Sequence, residues 1–471
     1  MRLLPAVLSL ALSACSLAPE LNTPEPPVPR AYPLSETVTG EIPAADLDWQ
    51  SMFVDPRLRR LIALALENNR DLRLAALNVE AARAQHGIQR ASRLPALSAS
   101  AETTRQRVAA DNRADPASPA RTQTQHGLNV GVSAFEIDLF GRARSLSEAA
   151  FARYLASEEG RRAAHIALVG AVADAYFAER LAQEQVDLSR HTLADWRQSL
   201  DLARQLKTAD QNSSLDVAQA EGQVATAEAD LEGRSRTLMR AANALALLIG
   251  STVPDDLPPP GPLGENAVRT RLPAGLPSDL LTRRPDIRQA EQNLIAANAD
   301  IGAARAAFFP QLSLTMSLGY ASPALNSLFD SSQGVWSFAP QITQPLFQGG
   351  RLRAELRLAK VRKSAAIAEY ERTIQTAFRE VADGLAGSAT YGRQIAAQDR
   401  VVASAARRVE LSTLRYRAGL EGRLELLDAQ RQHYAARQTH LDLKREEIGN
   451  AIALYKALGG GAPVPEPQEQ P

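Results

Sequence analysis

RRPDIRQAEQNLIAANADIGAARAAFFPQLSLT, Arg283 to Thr315, is the stretch that decides the fold. Pro285 suits the first turn of a helix, where a missing N–H costs nothing, and Asp286 lies near the positive end of the helix dipole. The helix is expected to run to about Ala307. At Phe308-Phe309-Pro310 the period changes: Leu312, Leu314, Met316, Leu318 and Tyr320 alternate with Gln311, Ser313, Thr315, Ser317 and Gly319. That alternation predicts a strand with one apolar face and one small, polar face. Further on, Trp336, Phe338 and Ile342 alternate with Ser337, Ala339 and Thr343 and read as a second lipid-facing strand. A helix feeding a strand of about ten residues, apolar on one side only, predicts a transmembrane barrel strand.

The same transition occurs earlier in the chain. Asp71, Arg73, Arg90, Pro95 and Leu97 recur as Asp286, Arg288, Arg305, Pro310 and Leu312, each 215 positions later. Leu139-Phe140 recurs as Leu346-Phe347 at an offset of 207, and Leu215, Ala220 and Gly250 recur as Leu424, Ala429 and Gly459 at 209. The offset changes in the strand-loop-strand region, where insertions are cheapest. Two copies of one motif are therefore expected. The first, 47–252, holds a helix over about 58–91, a β-hairpin over 97–138, a long helix over 141–207 and a helix over 215–249. The second, 278–460, holds a helix, a hairpin over 311–346, a long helix over 351–417 and a helix over 422–457. A Pro/Gly-rich linker, 253–277, joins them, and 461–471 is expected to be a disordered tail. In the first hairpin Leu128, Val130 and Val132 alternate until the phase flips at Ala134-Phe135, which predicts a bulge or strand end.

The N-terminus reads as an export signal. Arg2 precedes an apolar run, Leu3 to Leu12, so 1–14 is expected to be a signal peptide. Leu12-Ser13-Ala14-Cys15 resembles the bacterial lipobox, which implies an acylated Cys15 and a lipidated tether over 15–46, proline-rich from Pro19 to Pro33. Ser16, rather than an acidic residue, implies by the same resemblance the outer membrane. Cys15 is the single cysteine of 471 residues, so neither a disulfide framework nor a cysteine-based zinc site is expected. Lys+Arg and Asp+Glu number 53 each, which gives no electrostatic case for nucleic acid.

The six histidines, at 86, 126, 165, 191, 433 and 440, form no metal-ligand spacing, and no nucleophile elbow appears. The Phe347-Gln348-Gly349-Gly350 and Phe140-Gly141 turns lack P-loop spacing and read as strand-to-helix bends. No enzyme activity and no cofactor beyond the covalent lipid at Cys15 are expected.

Lengths constrain the architecture. A helix of 67 residues is roughly 100 Å long, about twice each of its neighbours, so two short helices stacked end to end match one long one. Four strands with one lipid-facing side cannot stand alone in a membrane, because their edges stay unpaired. Two chains would give eight strands and a filled interior; three would give twelve and room for water.

The sequence resembles the outer-membrane factors of bacterial tripartite efflux systems, the TolC/OprM-like channels, in their lipoprotein branch. The lipobox, the opening stretch, Phe347-Gln348-Gly349-Gly350-Arg351, Tyr416-Arg417-Ala418-Gly419 and Leu424-Glu425-Leu426-Leu427-Asp428-Ala429-Gln430-Arg431 carry the likeness. It implies a mainly α protein with membrane β: a homotrimer whose twelve-stranded outer-membrane barrel, four strands per chain, continues as a periplasmic α-helical barrel. It implies a passive exit duct for drugs or other small molecules, working with a periplasmic membrane-fusion adaptor and an inner-membrane pump of the RND type.

It also implies a periplasmic gate, with Leu424 as an apolar ring, Asp428 as an acidic ring, Arg431 as its ion-pair partner and Tyr416 at the same hairpin. The first copy has Gln219 and Gly222 in place of Asp428 and Arg431, so three carboxylates rather than six would converge. A lone helical aspartate is ordinarily a solvated charge; the neighbouring Gly419 to Gly422 turn sets this one apart. Two alternative functions share features of this pattern: the outlet of a type I protein-secretion system, and a lipid-anchored periplasmic coiled-coil adaptor. The adaptor would need lipoyl-like β domains where this chain has amphipathic strand pairs.

Overall fold

The computed structural model describes residues 17–22, 24–29, 31–32, 47–108, 121–211, 213–264, 267–270, 272 and 279–460. The expected signal peptide 1–14, the lipidation site Cys15, the loop residues 109–120 and the tail 461–471 lie outside them. In chain order the elements are α1 (Trp49–Met52), α2 (Pro56–Asn68), α3 (Arg70–Ala91), β1 (Leu97–Val108), β2 (Arg121–Ile137), α4 (Arg142–Thr208) and α5 (Ser214–Ile249). They continue with α6 (Asp279–Arg283), α7 (Pro285–Ala306), β3 (Gln311–Ser322), β4 (Gly334–Thr343), α8 (Arg351–Arg417) and α9 (Arg423–Ala457). Two compact units result, one of residues 1–25, 78–157 and 290–370, the other of 26–77, 158–289 and 371–471.

The first unit holds an antiparallel sheet in the order β1-β2-β3-β4. Its register slips between Val132 and Phe135, where Ala134 adopts φ 51°, so the phase flip in the sequence is a bulge. The Ala134 N–H left out of the ladder donates to Thr315 Oγ1 at 3.1 Å. Asp138 ends β2 and starts α4, accepting from the Arg142 and Arg144 N–H groups at 2.7 and 2.8 Å. Gly141, Gly349 and Gly350 have positive φ at the two strand-to-helix bends, where a side chain would be strained.

Residues 17–19 of the N-terminal tether are seated in this unit. Arg305 donates to the Leu17 carbonyl at 3.0 Å and Asn298 to that of Pro19 at 2.8 Å. Gly302 makes the room, since a Cβ there would lie 3.0 Å from Ala18 Cα.

The second unit is helical. The helix expected over 58–91 is broken at Asn69, whose ψ of 132° is extended. The Asn69 side chain explains the break: its oxygen accepts from Leu72 N–H at 2.9 Å and its amide donates to the Leu248 carbonyl at 2.8 Å. The helix expected from 278 breaks at Arg284, 215 positions later. Buried Arg284 forks onto Asp286 at 3.0 and 2.5 Å, reaches Glu380 at 2.8 Å and donates to the Ala457 carbonyl, at the end of α9, at 2.9 Å. The RRPD motif thus opens one helix and closes another. Gly250, at φ 72°, caps α5 in the left-handed conformation.

The α4–α5 pair is an antiparallel coiled coil. Leu193, Trp196, Leu200 and Ala203 face Ala220, Val224 and Ala227 at heptad steps, flanked by the ion pairs Arg197–Glu228 at 2.7 Å and Arg204–Glu221 at 2.9 Å.

Candidate membrane face and gate

Directly opposed residues share a face of a sheet, so the register sorts the side chains. One face carries the rows Ala99–Val130–Leu318–Trp336 and Leu97–Val132–Met316–Phe338, and beyond the bulge Ile137–Leu312–Ile342 and Phe135–Leu314–Pro340. Trp336 is 77% exposed and Ile342 71%; Met316, Leu318 and Phe338 are also exposed, while Leu312 and Leu314 are half-buried. The other face carries Ser98–Gly131–Ser317–Ser337, with the last two hydroxyls 2.8 Å apart, and has Ala321, Ala339 and Val335 as apolar members.

That polar face is also the crowded one. A Cβ at Gly131 would lie 2.8 Å from Ser317 Cα, and one at Gly319 2.8 Å from Asn129 Cα. Only glycine fits where neighbouring backbones approach this closely. The opposite face is apolar and exposed, which is the arrangement lipid requires. Among the described residues the outer edges of β1 and β4 carry no further strand.

The expected gate residues lie around the α8–α9 turn. Gly419, at φ 68°, and Gly422, at the start of α9, make the turn. Leu424, in its first turn, projects with 66% of its surface exposed. Asp428, one helical turn on, is paired within the chain with Arg408 of α8 at 2.8 Å, not with Arg431. Arg408 also donates to Gln432 at 2.6 Å and lies 3.7 Å from Glu425. Arg431, three residues from Asp428, instead lines a cavity with Asp230 and Tyr434.

Tyr416 is buried, with the Arg423 guanidinium 5.8 Å above its ring. Arg423, also buried, donates to the Ser199 carbonyl and hydroxyl, both at 3.3 Å, and so ties the second hairpin to α4.

A polar cluster fixes α9 farther along. Tyr434 donates to Asp230, Ser189 donates to the same carboxylate at 2.9 Å, and Gln438 donates to the Tyr434 hydroxyl at 2.8 Å. Burial and the bond to Asp230 push the Tyr434 phenol above its ordinary range, so it stays a donor. His433 lines a groove of about 550 Å³ with Asp195, Trp196, Arg417 and Arg437. Burial and then the Arg437 charge lower its pKa, against Asp195. The second hairpin is therefore anchored beside its turn by buried Arg423 and farther along by the Tyr434 cluster, while the Arg408–Asp428 pair between them is 40% and 47% exposed and holds only lightly.

Two further residues bear on the gate. Leu215, at the repeat position of Leu424 but beside the α4–α5 turn, is also 66% exposed, and the 209 offset was the signal for it. Arg408 had no local signal, since its role depends on how α8 and α9 align across the turn. Among the described residues no group of His, Cys, Asp or Glu is placed to hold a metal ion, and no helix is long and apolar enough to cross a membrane.

A four-stranded sheet with one exposed apolar face and one small, polar face, combined with 67-residue helices, fits a class: outer-membrane ducts that continue as helices. The particular family follows from comparison. Residues 61–251 and 276–460 match the outer membrane efflux protein family, and the chain belongs to it. It is 45% identical over 463 residues to the solvent efflux pump outer membrane protein SrpC of Pseudomonas putida, covering 97% of this chain and 98% of that one. Outer membrane protein OprJ of Pseudomonas aeruginosa is 44% identical over 455 residues, covering 97% and 95%. Among solved structures, the open state of the Neisseria gonorrhoeae MtrE outer membrane channel matches with a TM-score of 0.85 and 40% identity, covering 95% of this chain and 98% of that one. The protein is an outer-membrane efflux channel of the tripartite-pump class, a transport duct with a large periplasmic part.

Proposed function

We propose that three copies close their sheets edge to edge into one twelve-stranded barrel, and that this barrel lets small molecules out of the cell from an adaptor and an RND-type inner-membrane pump. The observation that carries the reading is the four-stranded sheet, apolar on one face and, among the described residues, unpaired at both edges. Unpaired backbone in hydrocarbon costs several kcal/mol per group, so closure on further copies is the stable solution. Acylation of Cys15 would hold the N-terminus to the same membrane. The seated Leu17 and Pro19 support this, because a chain spans at most about 3.6 Å per residue and Cys15 is two residues away.

The gate is proposed at the two helix-hairpin turns: Leu424 beside the α8–α9 turn and Leu215 beside the α4–α5 turn narrow the opening, and Asp428 supplies one carboxylate per chain. Converging carboxylates repel, and Arg408 offsets that repulsion. The closed state then exceeds the open one by little, so an adaptor with modest differential affinity opens it. The duct does no chemistry; substrate choice lies with the pump. Named relatives that export solvents and toluene support organic solvents and amphiphilic drugs as cargo.

The test is a deletion of the gene in its host, followed by dye and solvent accumulation. Accumulation that rises and is reversed by the wild-type chain supports the reading. Unchanged accumulation of dyes, solvents and antibiotics alike contradicts it.

A further inference from the structure

A cavity of about 580 Å³ lies within the first unit, where α4, α7 and α8 adjoin the start of β3 and the end of β4. Its charge is one-sided. Arg142 and Arg153 of α4 and Arg351 and Arg362 of α8 line it, against the carboxylates of Asp300 and Glu355 alone.

The internal repeat explains why the arginines converge. Arg142 and Arg153 recur as Arg351 and Arg362, each 209 positions later, so one pair of repeat positions supplies both walls. Eleven residues are three helical turns, so the two arginines of a pair project from the same side of their helix, roughly 16 Å apart along it. Between them in sequence stand Leu146 on α4 and Leu352 and Leu358 on α8, which also line the cavity. Each wall is therefore basic at its ends and apolar in its middle.

The partners these arginines already have hold them loosely. Arg351 pairs with Glu355 at 2.8 Å and Arg142 lies 3.4 Å from Glu136, and all four side chains are at least 31% exposed. Arg153 pairs with Asp300. Arg362 is exposed and has no ion pair among the described residues. Ion pairs this open to water are too weak to exclude a competing anion.

The cavity opens on the polar side of the sheet. Gln311 and Thr343, directly opposed in the β3–β4 register, both line it, whereas the next pair, Leu312 and Ile342, belongs to the apolar face. In the closed barrel proposed above the apolar face meets lipid, so the cavity faces the duct.

We propose that this cavity is a station for organic anions in transit, with a carboxylate, sulfate or sulfonate head on the arginines and an apolar body on the three leucines. Guanidinium forks match such oxyanions in geometry as well as charge, and the volume is that of a site for a drug-sized molecule. The inference rests on the duct reading and adds a class of cargo to it.

Calorimetric titration tests it. The full acylated chain in phosphatidylcholine nanodiscs is titrated with naphthalenesulfonate and, separately, with the naphthyltrimethylammonium cation, while native mass gives the number of chains per particle. Arg362→Gln and Arg351→Gln are each expected to weaken sulfonate binding by about two- to fivefold, the range for a partly exposed charged contact, and raised salt should narrow the difference. Arg362→Lys should fall between wild type and Arg362→Gln, and the cation should bind no more weakly to the variants than to the wild type. Either glutamine variant suffices if the other fails to fold. Three-chain particles that bind the sulfonate equally with and without these arginines overturn the site and leave the duct standing. Single-chain particles overturn the duct, and the transit role with it. If phosphatidylglycerol mixed into the discs abolishes the arginine-dependent part of the binding, the arginines serve lipid headgroups and the cargo reading is overturned.

Discussion

Removing the Arg408 side chain tests the gate at its weakest link. Arg408 donates to Asp428 at 2.8 Å and to Gln432 at 2.6 Å, with both ends of the ion pair about half exposed. Pairs of this kind contribute about 0.5–1 kcal/mol each, after screening and side-chain entropy. Should three chains release theirs together, the closed state loses roughly 1.5–3 kcal/mol, or roughly ten- to hundred-fold in the closed-to-open ratio. Arg408→Ala is therefore expected to raise open probability in planar bilayers by that factor, with Arg408→Lys intermediate because it keeps the charge and loses the fork. Raising the salt should open the wild type and leave Arg408→Ala nearly unchanged. Asp428→Ala with Leu424→Ala should raise conductance further, since it removes both the charge and the constriction. An Arg408→Ala channel with wild-type open probability and wild-type salt response would refute the reasoning.

Arg284→Ala should cost about 2–4 kcal/mol, because it strips three charge-assisted bonds and one α9 carbonyl of their donor; faster limited proteolysis of the folded chain is the readout. Gly319→Val should abolish heat-modifiable migration on gels, since its Cβ meets the Asn129 backbone, while Ser317→Ala is tolerated. Burial, with Arg161 and Arg437 respectively adding to it, lowers the pKa of His165 and His433. The unfolded chain then takes up protons first as pH falls below about 6.5, so stability drops through that window down to the folded pKa values. Thermal melts of the wild type from pH 7.5 to 5.5 should fall more steeply than those of the His165→Asn, His433→Asn double variant.

The sheet was legible because alternation is written into consecutive residues: Leu312 to Tyr320 declare one face, and the bulge shows as a phase flip at Ala134-Phe135. The family was legible too, since its motifs lie on the two copies of one repeat. What escaped depends on residues far apart in sequence. The break at Asn69 is stabilised by the Leu248 carbonyl, 179 positions away, and the neighbouring sequence alone reads as continuous helix. Arg408 faces Asp428 only through the alignment of two helices across a turn, so the nearer Arg431 took its place in the reading. The seating of Leu17 and Pro19 was not legible in the tether, because Asn298 and Arg305 bind its backbone and leave no mark on its composition.

The four-stranded sheet of one chain is proposed to be a third of a barrel. Native mass spectrometry of the acylated chain, released intact from outer membranes into mild detergent, tests it most directly. The account predicts one dominant species of three chains that falls apart only on heating. A folded single chain, stable in the same detergent with its sheet intact, would contradict it.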